Sequence, residues 1–191
     1  MLDLTKANAP CAVLVNGAFY AIKTDFRYWL NFSHLIRNEN HLLLDFDFLY
    51  EEEIPEDRKA GFDALVDFYI NKKELPRILA GDSDIEILDY NLDSELIFAA
   101  FYEQYGIDLI SQETRLHWWK FKALLSGLHG TKLNEVMGYR AYNEGAKTDW
   151  KQNARENKRR WELPQELTEE EKKELEEFDS LISGKENIVS V

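Results

Sequence analysis

The fold of this 191-residue chain is decided by one stretch, Leu116-His117-Trp118-Trp119-Lys120-Phe121-Lys122-Ala123-Leu124-Leu125-Ser126-Gly127-Leu128. On a helical wheel its apolar side chains cover more than half of the circumference, which predicts a helix enclosed by other helices on several sides. Two adjacent tryptophans on a helix cannot point the same way. Trp119 is therefore interpreted as core, and Trp118 either belongs to the core as well or reaches a protein partner.

The residues that precede this helix predict a small hairpin and an amphipathic helix. Two β-prone runs between Ala12 and Ile22 flank Asn16-Gly17, the pair that best favours a tight hairpin turn. An isolated hairpin is marginally stable, so it is expected to pack on helices. Thr24 is the predicted N-cap of a helix from Asp25 to Arg37. Its apolar face is formed by Phe26, Trp29, Leu30, Ser33 and Ile36.

The next segment is acidic, with eight Asp or Glu residues and no Lys or Arg from Glu39 to Asp57. Residues 42–48 within it predict either a short strand or a packed loop, and the pattern does not decide between them. Pro55 and the acids after it are typical of a helix start, and this helix is expected to reach about Lys73. A loop marked by Pro76 and Gly81 follows.

Further helices are predicted on both sides of the aromatic stretch. One is capped by Asp93 or Ser94 and ends at Gly106, and the aromatic helix itself is expected to open at Ser111 or Thr114. A short helix containing Val136 is expected to stop at Gly138.

Beyond residue 148 the sequence becomes highly charged. A basic segment ends in Lys158-Arg159-Arg160-Trp161, and Glu166 to Asp179 carries eight acids. A capping box at Thr168 to Glu171 favours a solvated helix in the acidic run. The simpler interpretation of the basic segment is pairing with this run, within the protein or with a neighbouring copy, rather than binding of RNA.

These patterns predict a mainly α fold. Residues 1–163 form a helical domain of about six helices with a small N-terminal β-hairpin, and residues 164–191 form a charged, acidic C-terminal helical extension. The formal net charge is −13 and the pI is about 4.8. Such a field repels phosphate backbones, so nucleic acid is not expected as a partner.

Composition also bears on the compartment. Cys11 is the single cysteine, which excludes an intramolecular disulfide and favours a reducing compartment. The N-terminus lacks a signal-peptide pattern, and no apolar run approaches the ~20 residues of a membrane span. A soluble cytosolic protein without a membrane partner is therefore expected.

No catalytic constellation is recognised in the sequence. The histidines, at positions 34, 41, 117 and 129, lack metal-binding spacing, and the glycines form no phosphate loop. Cys11 has no neighbour that would activate its thiol, and the carboxylates lie in runs typical of solvated faces. We expect no enzyme activity, metal or cofactor. The rival hypothesis is an enzyme that uses the acidic segment 39–57 with a metal ion.

Four motifs resemble one known family. They are Ile54-Pro55-Glu56-Asp57, Tyr102 to Leu109 (Tyr-Glu-Gln-Tyr-Gly-Ile-Asp-Leu), Leu116 to Leu128, and Met137-Gly138-Tyr139-Arg140. Together they are similar to a phage tail-protein family of siphophages that infect Gram-positive hosts. The resemblance covers about residues 10 to 163 and excludes the acidic extension.

The resemblance implies a role without catalysis. Members are encoded between the major tail protein and the tape-measure protein, the usual position of a tail assembly chaperone. It therefore implies a factor in the host cytoplasm that coats the tape-measure protein and recruits major tail (tube) protein subunits. A second tail assembly chaperone and a homo-oligomer are further candidate partners, and the alternative is a structural tail component that remains in the virion. Trp118, Tyr139 and Arg140 are the predicted protein-binding residues.

Overall fold

The computed structural model describes residues 2–37, 41–71, 87–142 and 151–163. These residues form a two-stranded hairpin, one 3-10 helix and six α-helices, which confirms the mainly α prediction with its N-terminal hairpin. The predicted loop around Pro76 and Gly81 and the acidic extension 164–191 lie outside the described residues. In chain order the elements are β1 (Ala12–Val15), β2 (Ala18–Ala21), α1 (Phe26–Arg37), the 3-10 helix (Leu43–Leu49), α2 (Arg58–Ile70), α3 (Ser94–Tyr105), α4 (Trp118–Gly127), α5 (Lys132–Arg140) and α6 (Lys151–Trp161).

The hairpin has the predicted turn. Asn16 and Gly17 adopt φ angles of 49° and 87°, the left-handed conformation that a tight two-residue turn requires. β1 pairs antiparallel with β2 and packs against α2, which supplies the support that an isolated hairpin lacks. Val13 and Val15 are buried, whereas Leu14 and its cross-strand partner Phe19 face outward.

Helix α1 begins one residue later than the predicted cap. The Asp25 carboxylate accepts the amide hydrogen of Arg27 at 3.1 Å, so Asp25 caps the helix and the prediction of Thr24 is wrong. The Thr24 carbonyl instead accepts a hydrogen bond from the Trp118 amide at 2.7 Å.

The undecided segment at residues 42–48 becomes a 3-10 helix. The Asp45 carboxylate accepts the amide hydrogen of Leu42 at 2.7 Å and draws the chain into a turn. Phe46 and Leu49 are buried, whereas Leu42 and Leu44 are exposed. The segment is thus neither the short strand nor the packed loop that its sequence left open, but a tight helix with one apolar edge.

Helix α4 starts at Trp118, so the prediction that Ser111 or Thr114 opens it is wrong. The reason is backbone pairing across the molecule, because the Phe26 amide donates to the Leu116 carbonyl at 2.9 Å. That contact precedes His117, which is itself extended with a φ of −61° and a ψ of 139°, so the helix begins only at Trp118.

Helix α5 is longer than predicted. It continues through Gly138 to Arg140, so Gly138 is not a stop.

An aromatic cluster forms the core between α1, α2, α3 and α4. Trp29, Phe32, Phe101, Trp118 and Phe121 are each 0% exposed. Their rings stack or tilt against one another and against neighbours, with Phe101 and Phe121 at 5.1 Å between centroids. The core therefore depends on residues 116–128, which contribute Trp118 and Phe121 to it.

Candidate partner-binding surface

The two adjacent tryptophans of α4 are both structural. The Trp118 indole N–H donates to the Tyr69 carbonyl at 3.0 Å, and the Trp119 indole N–H donates to the Phe68 carbonyl at 2.9 Å. These are carbonyls of the last turn of α2, which has no intrahelical donors for them. The interpretation of Trp118 as a residue that reaches a partner is therefore wrong, because its side chain is completely buried and its only polar group is paired.

A lysine completes this cap on α2. The Lys122 ammonium donates to the Tyr69 and Ile70 carbonyls, both at 2.9 Å. It also lies 5.6 Å from the centroids of the Tyr69 and Trp118 rings, which favours a cation. Burial lowers the pKa of Lys122. The motif Trp-Trp-x-x-Lys thus satisfies the end of α2, which explains its prominence without any binding role.

Arg140 is also an internal residue, contrary to its prediction as a partner contact. Its guanidinium makes a two-pronged ion pair with Asp93, with N–O distances of 2.6 and 2.8 Å. It also donates to the Ile87 carbonyl at 3.1 Å and to the Trp161 carbonyl at 2.6 Å. Only 6% of the Arg140 side chain is exposed. Arg140 therefore joins the start of α3 to the end of α6, and its buried guanidinium makes four hydrogen bonds within the described part of the chain.

Tyr139 is the predicted binding residue that keeps access to solvent. Its side chain is half-buried, and the Lys132 ammonium lies 5.8 Å from its ring centroid. A binding role for Tyr139 stays a prediction.

The surface best suited to an apolar partner lies between α1 and α3. We call it the apolar groove, a depression of about 280 Å³ with a buried aromatic floor and an open top. Phe26 and Phe121, stacked at 4.8 Å, belong to the floor, and Ile110 on the rim is 77% exposed. The residues that line it are Phe26, Leu30, Tyr90, Ser94, Glu95, Ile97, Phe98, Leu109, Ile110 and Phe121.

The groove continues along α3 and was missed in the sequence. Phe98 stacks on Tyr102 with centroids 6.0 Å apart, and Tyr102 is largely exposed. The available signal was the pair Leu109-Ile110, since two consecutive apolar residues outside a helix rarely both find the core. Leu109 is buried and Ile110 is not.

A basic depression lies next to the groove, and we call it the basic cleft. Its volume is about 930 Å³, and its charged lining residues are Lys23, Asp25, Arg27, Glu51, Arg115 and Lys120. Arg27 connects the two features, because its guanidinium donates to the Leu109 and Ser111 carbonyls, both at 2.8 Å, and so holds the groove rim. A local excess of cations on a chain of net charge −13 favours a carboxylate-bearing ligand there.

His117, which also lines this cleft, is the N-cap of α4, and this structural role explains its position. Its Nδ1 accepts the Trp119 amide hydrogen at 3.0 Å, and its Nε2 lies 2.9 Å from the Pro10 carbonyl oxygen. These contacts assign the single proton of a neutral ring to Nε2. Burial lowers the pKa of His117, and the nearby Lys120 ammonium lowers it further.

The described residues were also searched for groups that could bind a metal ion and for helices that could span a membrane. Within the described ranges, no group of three or more His, Cys, Asp or Glu side chains could hold a metal ion, and Cys11 is exposed. None of the helices described is long and apolar enough to cross a lipid bilayer.

Comparison with known proteins gives one match. A family model described as "Bacteriophage Gp15 protein" matches residues 7–163, which is most of the chain. No curated protein and no solved structure matches the chain. The predicted phage origin is confirmed, while siphophage type, Gram-positive host and gene position stay predictions.

Proposed function

This chain belongs to the bacteriophage Gp15 protein family, and from that premise we propose that it is a tail assembly chaperone which acts by binding rather than by catalysis. Membership points to a role in phage structure or assembly. The more specific role is that the chain binds the tape-measure protein in the host cytoplasm and recruits tail-tube subunits to it. The observation that carries this role is the apolar groove.

The groove suits an amphipathic helix. Recognition of this kind places apolar side chains spaced i, i+3, i+4 and i+7 into an apolar depression. The wall formed by Phe98 and Tyr102 is itself one helical turn of α3, so a partner helix alongside α3 would meet apolar side chains along its length. Tape-measure proteins are long and helical in the family context that the resemblance implies, and their apolar faces need cover before assembly.

The charge of the chain supports the same role. A net charge of −13 keeps the protein soluble at the concentrations at which a chaperone must outcompete aggregation. Acids such as Glu95 at the groove edge would keep the complex soluble as well.

Co-expression with overlapping tape-measure fragments tests the proposal. At least one fragment should become soluble with the wild-type chain and lose that solubility with Ile110→Asp. Phe19→Asp is the matched control, because Phe19 is also 77% exposed but lies on the hairpin, away from the groove. If no fragment is rescued, or if both variants fail equally, the proposal is wrong.

The alternative, a structural component of the tail, predicts a different fate for the chain. Mass spectrometry of purified particles should find no copies of a chaperone and stoichiometric copies of a structural protein. Detection at the level of the tube protein would overturn the chaperone role.

A further inference from the structure

We propose that the apolar groove and the basic cleft form one composite surface, which selects a partner helix whose apolar stripe is bordered by acidic side chains. The inference rests on the proposed function, because it states which helices of a partner protein this chain would bind. It adds a charge requirement to a groove that apolar spacing alone would leave open to many amphipathic helices.

The groove and the cleft adjoin each other along two helices. On α1, Phe26 lines the groove and the next residue, Arg27, lines the cleft. On α4, Lys120 lines the cleft and the next residue, Phe121, lines the groove. Consecutive Cα atoms are about 3.8 Å apart, so each helix supplies an apolar and a cationic side chain to neighbouring depressions. A ligand seated in the groove therefore has the cleft beside it.

Arg27 cross-links the boundary between the two depressions. Its guanidinium lies 4.8 Å from the centroid of the Phe26 ring, which belongs to the groove floor. It also donates to three carbonyls of the loop between α3 and α4, those of Leu109, Ser111 and Thr114, at 2.8, 2.8 and 2.9 Å. This loop supplies the groove rim, so its attachment to α1 fixes the position of the rim relative to the cleft.

Two cations of the cleft are available to a ligand. Arg27 and Lys23 already donate to carbonyls of the chain, Lys23 to that of Phe48 at 2.8 Å. Arg115 and Lys120 are exposed and make no hydrogen bond or ion pair with the residues that the structure describes. A guanidinium binds a carboxylate through two parallel hydrogen bonds, and an ammonium binds it as a point charge. Carboxylates of a ligand are therefore the groups that these two side chains would bind.

The two depressions differ in the sign of their charge. Among the described residues that line the cleft, four are cationic, and their acidic neighbours are Glu51 and Asp25, of which Asp25 is paired with Arg27 at 3.2 Å. Among the described residues that line the groove, Glu95 carries the one charge, and it is an acid. An acidic side chain of a ligand is thus repelled near Glu95 and attracted at the cleft. The surface therefore selects by the position of the acids.

Two designed helical peptides test the charge requirement. Both have leucines at i, i+3, i+4 and i+7, and the positions that border this stripe are glutamates in one and lysines in the other. At about 0.15 M salt, the full chain should bind the glutamate peptide at least about threefold more tightly in calorimetric titration, since two exposed ion pairs change an affinity by roughly three- to tenfold. The net charge of −13 opposes this preference, so it requires a local excess of cations. No preference, a preference for the lysine peptide or binding of neither peptide would overturn the proposal.

Charge reversal in the cleft locates the source of the preference. Arg115→Glu with Lys120→Glu should invert it, so that the lysine peptide binds more tightly. The matched control is Lys6→Glu with Lys59→Glu, which changes the net charge equally at side chains that are 72% and 80% exposed and line neither depression. The control should keep the preference for the glutamate peptide. Equal effects of the two double variants would mean that overall charge decides, and would overturn the inference.

The groove must contribute to the same binding event. Ile110→Ser should weaken binding of the glutamate peptide roughly tenfold, because an apolar contact is lost at the rim. Phe19→Ser removes an equally exposed apolar side chain from the hairpin and should leave the affinity within about twofold. If Ile110→Ser has no effect, the peptide binds in the cleft alone and the composite surface is wrong.

The outcomes separate this inference from the proposed function. A tape-measure fragment that is rescued equally by wild type and by Arg115→Glu with Lys120→Glu would overturn the charge requirement and leave the chaperone role intact. The inverted peptide preference without any rescued fragment would overturn the chaperone role alone. Sedimentation of the free chain gives a last check, because a dimer that this charge reversal dissociates would assign the surface to a second copy and overturn the inference.

Discussion

Removal of the buried Arg140–Asp93 pair should be the most damaging polar change in this fold. The Arg140 guanidinium and the Asp93 carboxylate are 6% and 2% exposed as side chains. Asp93 also accepts the Asp89 amide hydrogen at 2.9 Å. Arg140→Met keeps most of the side-chain volume and removes the positive charge. Asp93 would then remain as a buried carboxylate with one remaining donor.

The expected magnitude follows from burial. Breaking a buried ion pair by removing one partner costs roughly 3–5 kcal/mol, because the other charge stays uncompensated. Asp93→Asn should cost a similar amount for the converse reason. The double variant contains no unpaired charge, so its cost should be about 3 kcal/mol less than the sum of the single changes. That non-additivity separates a charge effect from lost packing.

Urea unfolding at 25 °C followed by tryptophan fluorescence measures these free energies, because the indoles of α4 are buried. The matched control is the exposed pair Lys132–Glu135, whose side chains are 52% and 55% exposed. Glu135→Ala should change stability by less than about 1 kcal/mol. Additive costs for Arg140→Met and Asp93→Asn, or a cost no larger than that of Glu135→Ala, would refute the reasoning. Unchanged stability with lost partner binding would instead restore Arg140 as a contact residue.

Three further changes test local features of the fold. Burial lowers the pKa of His117 in the folded protein, so the neutral ring stabilises the fold above about pH 6.5, and this contribution is lost as the pH falls through the lowered folded pKa. His117→Asn keeps a capping oxygen but does not titrate in this range. Its stability, measured by thermal unfolding, should therefore fall less between about pH 7 and pH 5 than that of the wild type. Gly61→Ala places a Cβ 2.9 Å from the Tyr50 hydroxyl and should lower the free energy of urea unfolding by roughly 1–3 kcal/mol. Tyr50→Phe removes that hydroxyl and should recover part of the loss. The control is Gly138→Ala, whose Cβ meets nothing within 4 Å and which should be neutral or slightly stabilising. Lys122→Met leaves the Ile70 carbonyl without its side-chain donor, whereas the Tyr69 carbonyl keeps the Trp118 indole N–H. The change should cost roughly 1–3 kcal/mol, and an unchanged melting temperature would contradict the capping role.

Local sequence signals predicted the elements that depend on local chemistry. Asn16-Gly17 specified the hairpin because few residue pairs tolerate two positive φ angles. Gly106 specified the end of α3 for the same reason, with a φ of 65°. Both signals act within a few residues of the chain, so no tertiary contact was needed to interpret them.

Errors occurred where distant contacts override local preference. Ser111 and Thr114 are good caps in isolation, yet the backbone pairing of Leu116 and His117 with the start of α1 holds these two residues outside a helix. Histidine is an uncommon cap, and it serves here because its second ring nitrogen reaches the Pro10 carbonyl. Neither contact can be predicted from the residues that flank the helix in the sequence.

The apolar groove could not be predicted from the sequence for a related reason. Aromatic and arginine side chains are favoured both in interfaces and in cores, so residue type alone could not separate the two for Trp118 and Arg140. The hydrogen-bond partners distinguish the two roles in the structure, because Trp118 and Arg140 both donate to carbonyl or carboxylate oxygens of the same chain. The groove instead assembles from residues of α1, α3 and α4 with Ile110, none of them unusual alone. The most recognisable motif of the sequence therefore maintains the fold, and the binding surface we propose lies on ordinary residues that this fold brings together.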